Sequence, residues 1–182
     1  ELPIYLFDSF IDFTKRIKPG GTLFVRQGLP LEGVTYGIDD DSDYCIRNIT
    51  IEQGTYIFDL TAPNIALKGV RFTKPGRHNL LNGLVAFAMA IKAGSPPERL
   101  ALALGTFKGV QRRFSYKIHT QAFVFIDDYA HHPTEIDAVF DAIEEMHPNK
   151  KVLAVFQPHL FSRTRDFGDE FAKSLSRFDS VL

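Results

Sequence analysis

The last third of the chain alternates strand and helix patterns, and this alternation constrains the fold more than any other feature. "AFVFID" (122–127) is a short apolar strand, and "PTEIDAVFDAIEEM" (133–146) places Ile136, Val139, Phe140, Ile143 and Met146 on one helical face. "KKVLAVFQ" (150–157) is a near-continuous apolar strand, "RDFGDEFAKSL" (165–175) stacks Phe167, Phe171 and Leu175, and "FDSVL" (178–182) begins a third strand. Strands apolar on both faces and joined by helices predict a parallel βαβαβ sheet with right-handed crossovers. Ligands of such sheets bind beyond the carboxyl ends of the strands, where loops meet helix N-termini that favour anions. The polar clusters stand at those ends. "DDYAHHP" follows the first strand and "QPHLFSRTR" the second, so both are expected to face one crevice.

The first two thirds read differently. Phe7, Phe10, Ile11, Thr14 and Ile17 share a helical face, "KPGG" (18–21) breaks the helix, and "TLFVRQ" (22–27) is a buried-type strand, giving an αβ unit. From Val34 to Val70 short alternating runs separated by Gly, Asp and Asn predict a small antiparallel sheet. Its "GIDDDSD" turn lacks the central Gly and distal Glu of an EF-hand and reads as a solvated turn. Leu80 to Ile91 is apolar almost all round, as in a helix buried on most sides, with Gly94 to close it. Ser95-Pro96-Pro97-Glu98 has the form of a capping box opening a second helix to about Gly105.

Composition excludes several classes. With 21 basic and 22 acidic residues interspersed and a net charge of -1, nothing marks a surface for nucleic acid or anionic lipid. Cys45, the one cysteine, cannot form an internal disulfide, and no apolar run approaches membrane-spanning length. A reducing cytoplasm fits, which makes the Asn48-Ile49-Thr50 sequon irrelevant. At 182 residues and 45% apolar, the chain suits two modest cores. Opening on Glu1, directly in a helical pattern, it reads as a segment of a longer protein.

On the residues alone, three chemistries are open for the polar clusters. Asp127, Asp128, His131, His132 and His159 could serve as the ligands of a metal-dependent hydrolase, although adjacent histidines ligate one ion with poor geometry. Asp128 and His132 could merely cap a helix. The third chemistry is oxyanion handling, which suits Arg163, Arg165 and the earlier Arg112-Arg113 pair because guanidinium forks bind carboxylate and phosphate bidentately.

"PGRHNLLN" (75–82), "FKGVQRRF" (107–114), "DDYAHHPTEI" (127–136) and "FQPHLFSRTRDF" (156–167) resemble, in order and spacing, the Mur ligase family, and within it the ligases that join L-alanine to UDP-N-acetylmuramate in peptidoglycan synthesis. "IKPGGTLFV" (17–25) is similar to a strand region of that family's ATPase domain. The resemblance implies a fold in two parts. Residues 1–114 would be the latter part of a P-loop-type central ATPase domain with a small antiparallel β excursion, and 115–182 the first half of a Rossmann-like C-terminal domain. It implies ATP and Mg2+ as cofactors, with UDP-N-acetylmuramate and L-alanine as small-molecule substrates. ATP would phosphorylate the muramoyl carboxylate, and the alanine amine would attack the acyl phosphate. No G-x-x-G-K-[ST] loop occurs in the chain and the family's magnesium ligands lie upstream of it, so the isolated chain is expected to be inactive and to supply no metal ligand.

By the same resemblance, His78, Asn79 and Asn82 would line the adenine pocket, Arg113 and Arg112 would reach the phosphates, and Asp128 would accept from the ribose hydroxyls. Tyr129, His131 and His132 would border the phosphate and the incoming amino acid, with Arg113, His131 and His132 the catalytic group. His159 and Arg163 would hold the alanine carboxylate. Leu160 stands where many members carry arginine, which leaves Arg163 or Arg165 to supply the charge. A murein peptide recycling ligase and a non-catalytic nucleotide-binding module are the remaining readings. The sequence leaves room for an oligomer.

Overall fold

The computed structural model describes residues 4–182. They group into two compact units that interleave along the chain. Residues up to Thr50, Ile57–Arg71 and Leu81–Gly105 form the first, and Ile51–Tyr56, Phe72–Leu80 and Thr106–Leu182 the second. No described helix is long and apolar enough to cross a membrane.

After α1 (Ile4–Thr14), a five-stranded sheet runs in the order β1 (Phe24–Arg26), β2 (Val34–Ile38), β3 (Tyr44–Glu52), β4 (Thr55–Ala62), β5 (Ile65–Phe72). Of the helical face expected around α1, Phe7 lies outside the described side chains and Phe10 is exposed. The antiparallel excursion is narrower than the alternation predicts, because β1 pairs parallel with β2 and β2 parallel with β3, in the register Tyr36↔Tyr44 and Gly37↔Cys45. Alternation identifies a strand but not its neighbour's direction. The antiparallel signature begins at the β3–β4 hairpin, whose two-residue turn puts Gln53 and Gly54 at φ 49° and 74°, the conformation of a type I′ turn. Asn48 bonds Asp59 and Thr50 bonds Ile57, a pairing in which one strand's number rises as the other's falls. In the first unit Val25, Cys45, Ile46, Phe58, Leu60, Leu84, Phe87 and Ala88 are buried.

Two helices follow, α2 (Arg77–Lys92) and α3 (Pro97–Thr106). Gly94, at φ 88°, ends α2 in a Schellman motif, with Ser95 N–H donating to the Ala90 carbonyl and Gly94 N–H to that of Ile91. The expected capping box is displaced: the first helical bond of α3 runs from Leu100 N–H to the Pro96 carbonyl, so Ser95 stands one residue before the cap.

The second unit carries the alternating elements. An antiparallel hairpin of β6 (Ser115–His119) and β7 (Val124–Asp127) precedes α4 (Pro133–Met146), and β8 (Leu153–Ala154) pairs parallel with β9 (Ser180–Val181) across α5 (Phe161–Asp166) and α6 (Gly168–Leu175). The parallel pair is as the sequence predicts, but the three-stranded sheet is not formed. β7 takes β6 as its partner, while the pairing of "KKVLAVFQ" with the last strand runs from Ser180 N–H on the Val152 carbonyl to Phe156 N–H on the Leu182 carbonyl, and Val152 N–H donates to Asp179 at 2.8 Å. A cavity of about 580 Å³ is lined by both strand segments, among others by Val124, Ile126, Leu153 and Val155, and by Val139 and Ile143 of α4. The apolar surface expected of an open-edged half sheet is present at Phe125, Val155 and Leu182, all at least half exposed.

α4 is fixed by its buried positions Pro133, Ile136, Ala142 and Ile143; the last two pack with Phe114, and Val139, Ile126, Tyr116 and Phe178 close around them. On the same helix Glu145 accepts a hydrogen bond from the hydroxyl of Tyr56, which has no exposed surface and in turn accepts from Gly76 N–H at 2.9 Å. Burial, and then the Glu145 carboxylate, push the Tyr56 hydroxyl well above the ordinary phenol pKa, so it stays protonated while it donates to Glu145 and accepts from Gly76. Tyr56→Phe would leave a buried N–H and a carboxylate without their partner and is expected to destabilise the fold by about 1–3 kcal/mol, read as a lower urea midpoint at unchanged slope.

Candidate functional site

The loop after β7 and the start of α4 hold most of the predicted residues. His132 is the N-cap of α4, in extended conformation (φ -137°, ψ 146°), with Pro133 at the first helical position. Its Nδ1 accepts from Thr134 N–H at 3.4 Å and lies 2.9 Å from the Thr134 hydroxyl. The next imidazole is arranged the opposite way. His131 Nδ1 lies 2.8 Å from the Tyr129 carbonyl, which can only accept, so Nδ1 carries the proton and Nε2 is the basic nitrogen. In their neutral forms the two adjacent histidines therefore present opposite nitrogens: Nε2 of His131 accepts, and Nε2 of His132 donates.

Glu135, which the sequence reading passed over, ties this turn together. Its carboxylate accepts from His131 N–H at 2.8 Å and lies 3.2 Å from His131 Nδ1. The signal was present in "HPTE": a glutamate three residues after the cap is the reaching-back half of a capping box, with histidine in the usual serine position.

Asp128 does not cap α4. Its Oδ2 accepts from Phe114 N–H and its Oδ1 from Ala130 N–H, both at 2.7 Å. Tyr129 N–H donates to the Arg112 carbonyl at 2.9 Å, and the Arg112 guanidinium lies over the Tyr129 ring at 4.7 Å. These bonds hold a strained turn. Arg112 and Phe114 adopt φ 56° and 43°, left-handed conformations that cost a non-glycine residue roughly 1–2 kcal/mol each. Bonds from backbone N–H to an ionised carboxylate contribute about 1.5–3 kcal/mol apiece, enough to sustain the turn.

The second polar cluster meets the first through a hydrogen bond: Arg163 Nη1 donates to the His131 carbonyl at 3.3 Å. Phe167 adds a ring contact to His132, at 5.0 Å between centroids. Arg165 is paired with Asp166 at 2.8 Å, which leaves Arg163 as the arginine turned toward the "DDYAHHP" loop. His159 is exposed in the segment before α5, and Leu160 occupies a left-handed conformation (φ 70°) at the start of that helix. Of the residues of the metal reading, Asp127 turns to Lys117 at 3.4 Å, Asp128, His131 and His132 to the partners described above, and His159 is exposed. Among the described residues no group of three or more His, Cys, Asp or Glu is placed to hold a metal ion.

At the start of α2, Gly76 has φ 92°, and a Cβ there would come within 2.6 Å of the His78 ring. His78 is exposed, and its ring stands beside the Gly76 backbone. Its pKa is lowered from the ordinary imidazole value, first by desolvation and further by the Arg113 charge, while Asp128 and Glu135 oppose the shift. The field of Arg113, Asp128 and Glu135 thus reaches one imidazole. Asn79 donates its side-chain amide to the Pro75 carbonyl at 2.6 Å, and Asn82, further along α2, is exposed.

Comparison with known proteins gives one answer. Residues 112–182 match the family described as Mur ligase, glutamate ligase domain. A protein of Christiangramia forsetii named UDP-N-acetylmuramate--L-alanine ligase is 58% identical over 174 residues, 96% of this chain and 38% of the relative. Among solved structures, the UDP-N-acetylmuramate-alanine ligase of Thermotoga maritima superposes with a TM-score of 0.69 at 30% identity, over 81% of this chain and 33% of that one. MurF of Acinetobacter baumannii shares the fold at 21% identity, with a TM-score of 0.76 over 93% of this chain and 40% of its own. The chain thus spans well under half the length of the relatives it matches.

The lowered pKa of His78 has a testable sign. Folding favours its neutral form, so the associated stability is complete above the unfolded value of about 6.5 and is lost as pH falls below it toward the folded value. His78→Gln is expected to flatten the fall of the urea midpoint between about pH 6.5 and pH 5. An unchanged slope would show that His78 is not held neutral.

Proposed function

From the premise that this chain belongs to the Mur ligase family, we propose that it forms part of an ATP-dependent ligase joining L-alanine to UDP-N-acetylmuramate through an acyl phosphate, in the cytoplasmic synthesis of peptidoglycan precursor. The observation that carries the proposal is the meeting of "DDYAHHPTEI" and "SRTR" at the Arg163–His131 bond, since these motifs hold the residues an amide ligase would need at its amino-acid side. The domain assignment belongs to the proposal. Residues 1–114 would be the latter part of the ATP-binding domain and 115–182 the first half of the C-terminal one, a boundary supported by the family match that begins at residue 112.

ATP, when bound, supplies the phosphoryl group. Arg113, with Arg112 beside it, would face its phosphates and disperse charge developing in transfer. His78, Asn79 and Asn82 would line the base. Mg2+ would supply positive charge to the bound nucleotide, but the described residues do not fit it as a ligand set, and no step here runs through a metal held by this chain. Arg163 would grip the alanine carboxylate with its fork, next to Tyr129 and His159. His131 Nε2, left basic by the bond at Nδ1, would take a proton from the alanine ammonium, and His132 Nε2–H would donate to the oxygen that gains charge as the amine attacks. The names of the relatives favour alanine over a recycled murein peptide.

In the full-length natural protein, phosphate release from ATP is expected to require both L-alanine and UDP-N-acetylmuramate. Arg163→Ala should raise the alanine KM by about tenfold to a hundredfold with little change in kcat, the size of one lost charged hydrogen-bonding pair. Activity with murein peptide and none with alanine would overturn the substrate assignment.

A further inference from the structure

We propose that Asp128 is a positioning residue for Arg113, acting through the backbone of the Arg112–Phe114 turn; this rests on the reading above of Arg113 as the phosphate-facing group. Arg113 stands between two non-glycine residues in the left-handed region, at φ 56° and 43°. Side chains avoid that region unless something outside the turn imposes it. Here the imposing groups are identifiable. Phe114 is 2% exposed and locked into the core with Ala142 and Ile143, and its N–H is bound by Asp128 Oδ2 at 2.7 Å. The Arg112 carbonyl is bound by Tyr129 N–H at 2.9 Å, and its guanidinium lies over the Tyr129 ring. Asp128 Oδ1 is meanwhile held by Ala130 N–H, so the carboxylate cannot turn away from Phe114 without losing its second bond. The turn and the loop after β7 thus form a clasp, closed at one end by a carboxylate and at the other by a cation–π contact. Its conformation sets the direction in which the Arg113 side chain leaves the chain.

A ribose contact by Asp128 and a backbone role for it make different predictions. In the full-length enzyme, Asp128→Ala is expected to raise the ATP KM about tenfold or more, and by the same factor for 2′,3′-dideoxy-ATP, which has no hydroxyls to bind. Adding Asp128→Ala to Arg113→Ala should change little, the double variant lying within about twofold of the Arg113→Ala protein. The Phe114 and Ala130 amide protons should exchange about tenfold faster in Asp128→Ala, with Asp128→Asn, which keeps one acceptor oxygen, in between. Should Asp128→Ala fail to fold, Asp128→Asn carries the same comparisons. A loss seen with ATP but not with the dideoxy nucleotide, independent effects of the two substitutions, or unaltered Phe114 exchange would each overturn the proposal. The exchange measurement needs no turnover. An enzyme with no ATP-dependent activity but a carboxylate-dependent Phe114 amide would refute the functional reading and leave the clasp standing.

Discussion

The packing of α4 is the constraint from which the candidate site follows. Pro133, Ile136, Ala142 and Ile143 bury one face of that helix, and Ala142 and Ile143 meet Phe114 in the core. A helix so fixed has no freedom to rotate, and its first turn is set in space with it. His132 and Glu135 belong to that turn, and through Glu135 so does His131. Phe114, held from the other side, lies between Arg113 and the first residue of β6. A hydrophobic contact, with no chemistry of its own, thereby fixes the backbone that carries two imidazoles, a carboxylate and an arginine.

The polar bonds of the site refine this placement. The Tyr129 carbonyl and the Thr134 N–H select opposite tautomers for the two adjacent histidines, which residue type alone does not determine. Asp128 is committed to the backbone through both oxygens, and Glu135 to the turn before α4. Arg163 reaches from α5 to a single carbonyl and keeps most of its donors for other partners.

Much of this was legible in the sequence because it rests on periodicity. The face of α4, the positions of most strands, Gly94 as a helix stop, and the meeting of the loops around His131 and Arg163 all follow from spacing. What escaped is what spacing does not encode. β6 was missed because "SYKIH" has no apolar run, and the direction of β2 because alternation is the same for parallel and antiparallel neighbours. The left-handed turn at Arg112 and Phe114 was invisible because neither is glycine, the residue that normally announces such a conformation. The choice of β6 as the partner of β7 escaped as well, because a strand's apolar residues do not say which neighbour it takes. Leu160, flagged by its residue type, carries a strained backbone that its residue type does not foretell.

The central claim is that residues 76–80, 112–114, 128–135 and Arg163 work as one site for nucleotide and amino acid. Its most direct test is amide hydrogen exchange across the full-length protein, with and without a non-hydrolysable ATP analogue and L-alanine. The account predicts that the nucleotide protects 76–80 and 112–114, and that L-alanine added afterward extends protection into 128–135 and the Arg163 helix. Protection that spares these segments, or falls on the apolar cavity beside Leu153 instead, would contradict it.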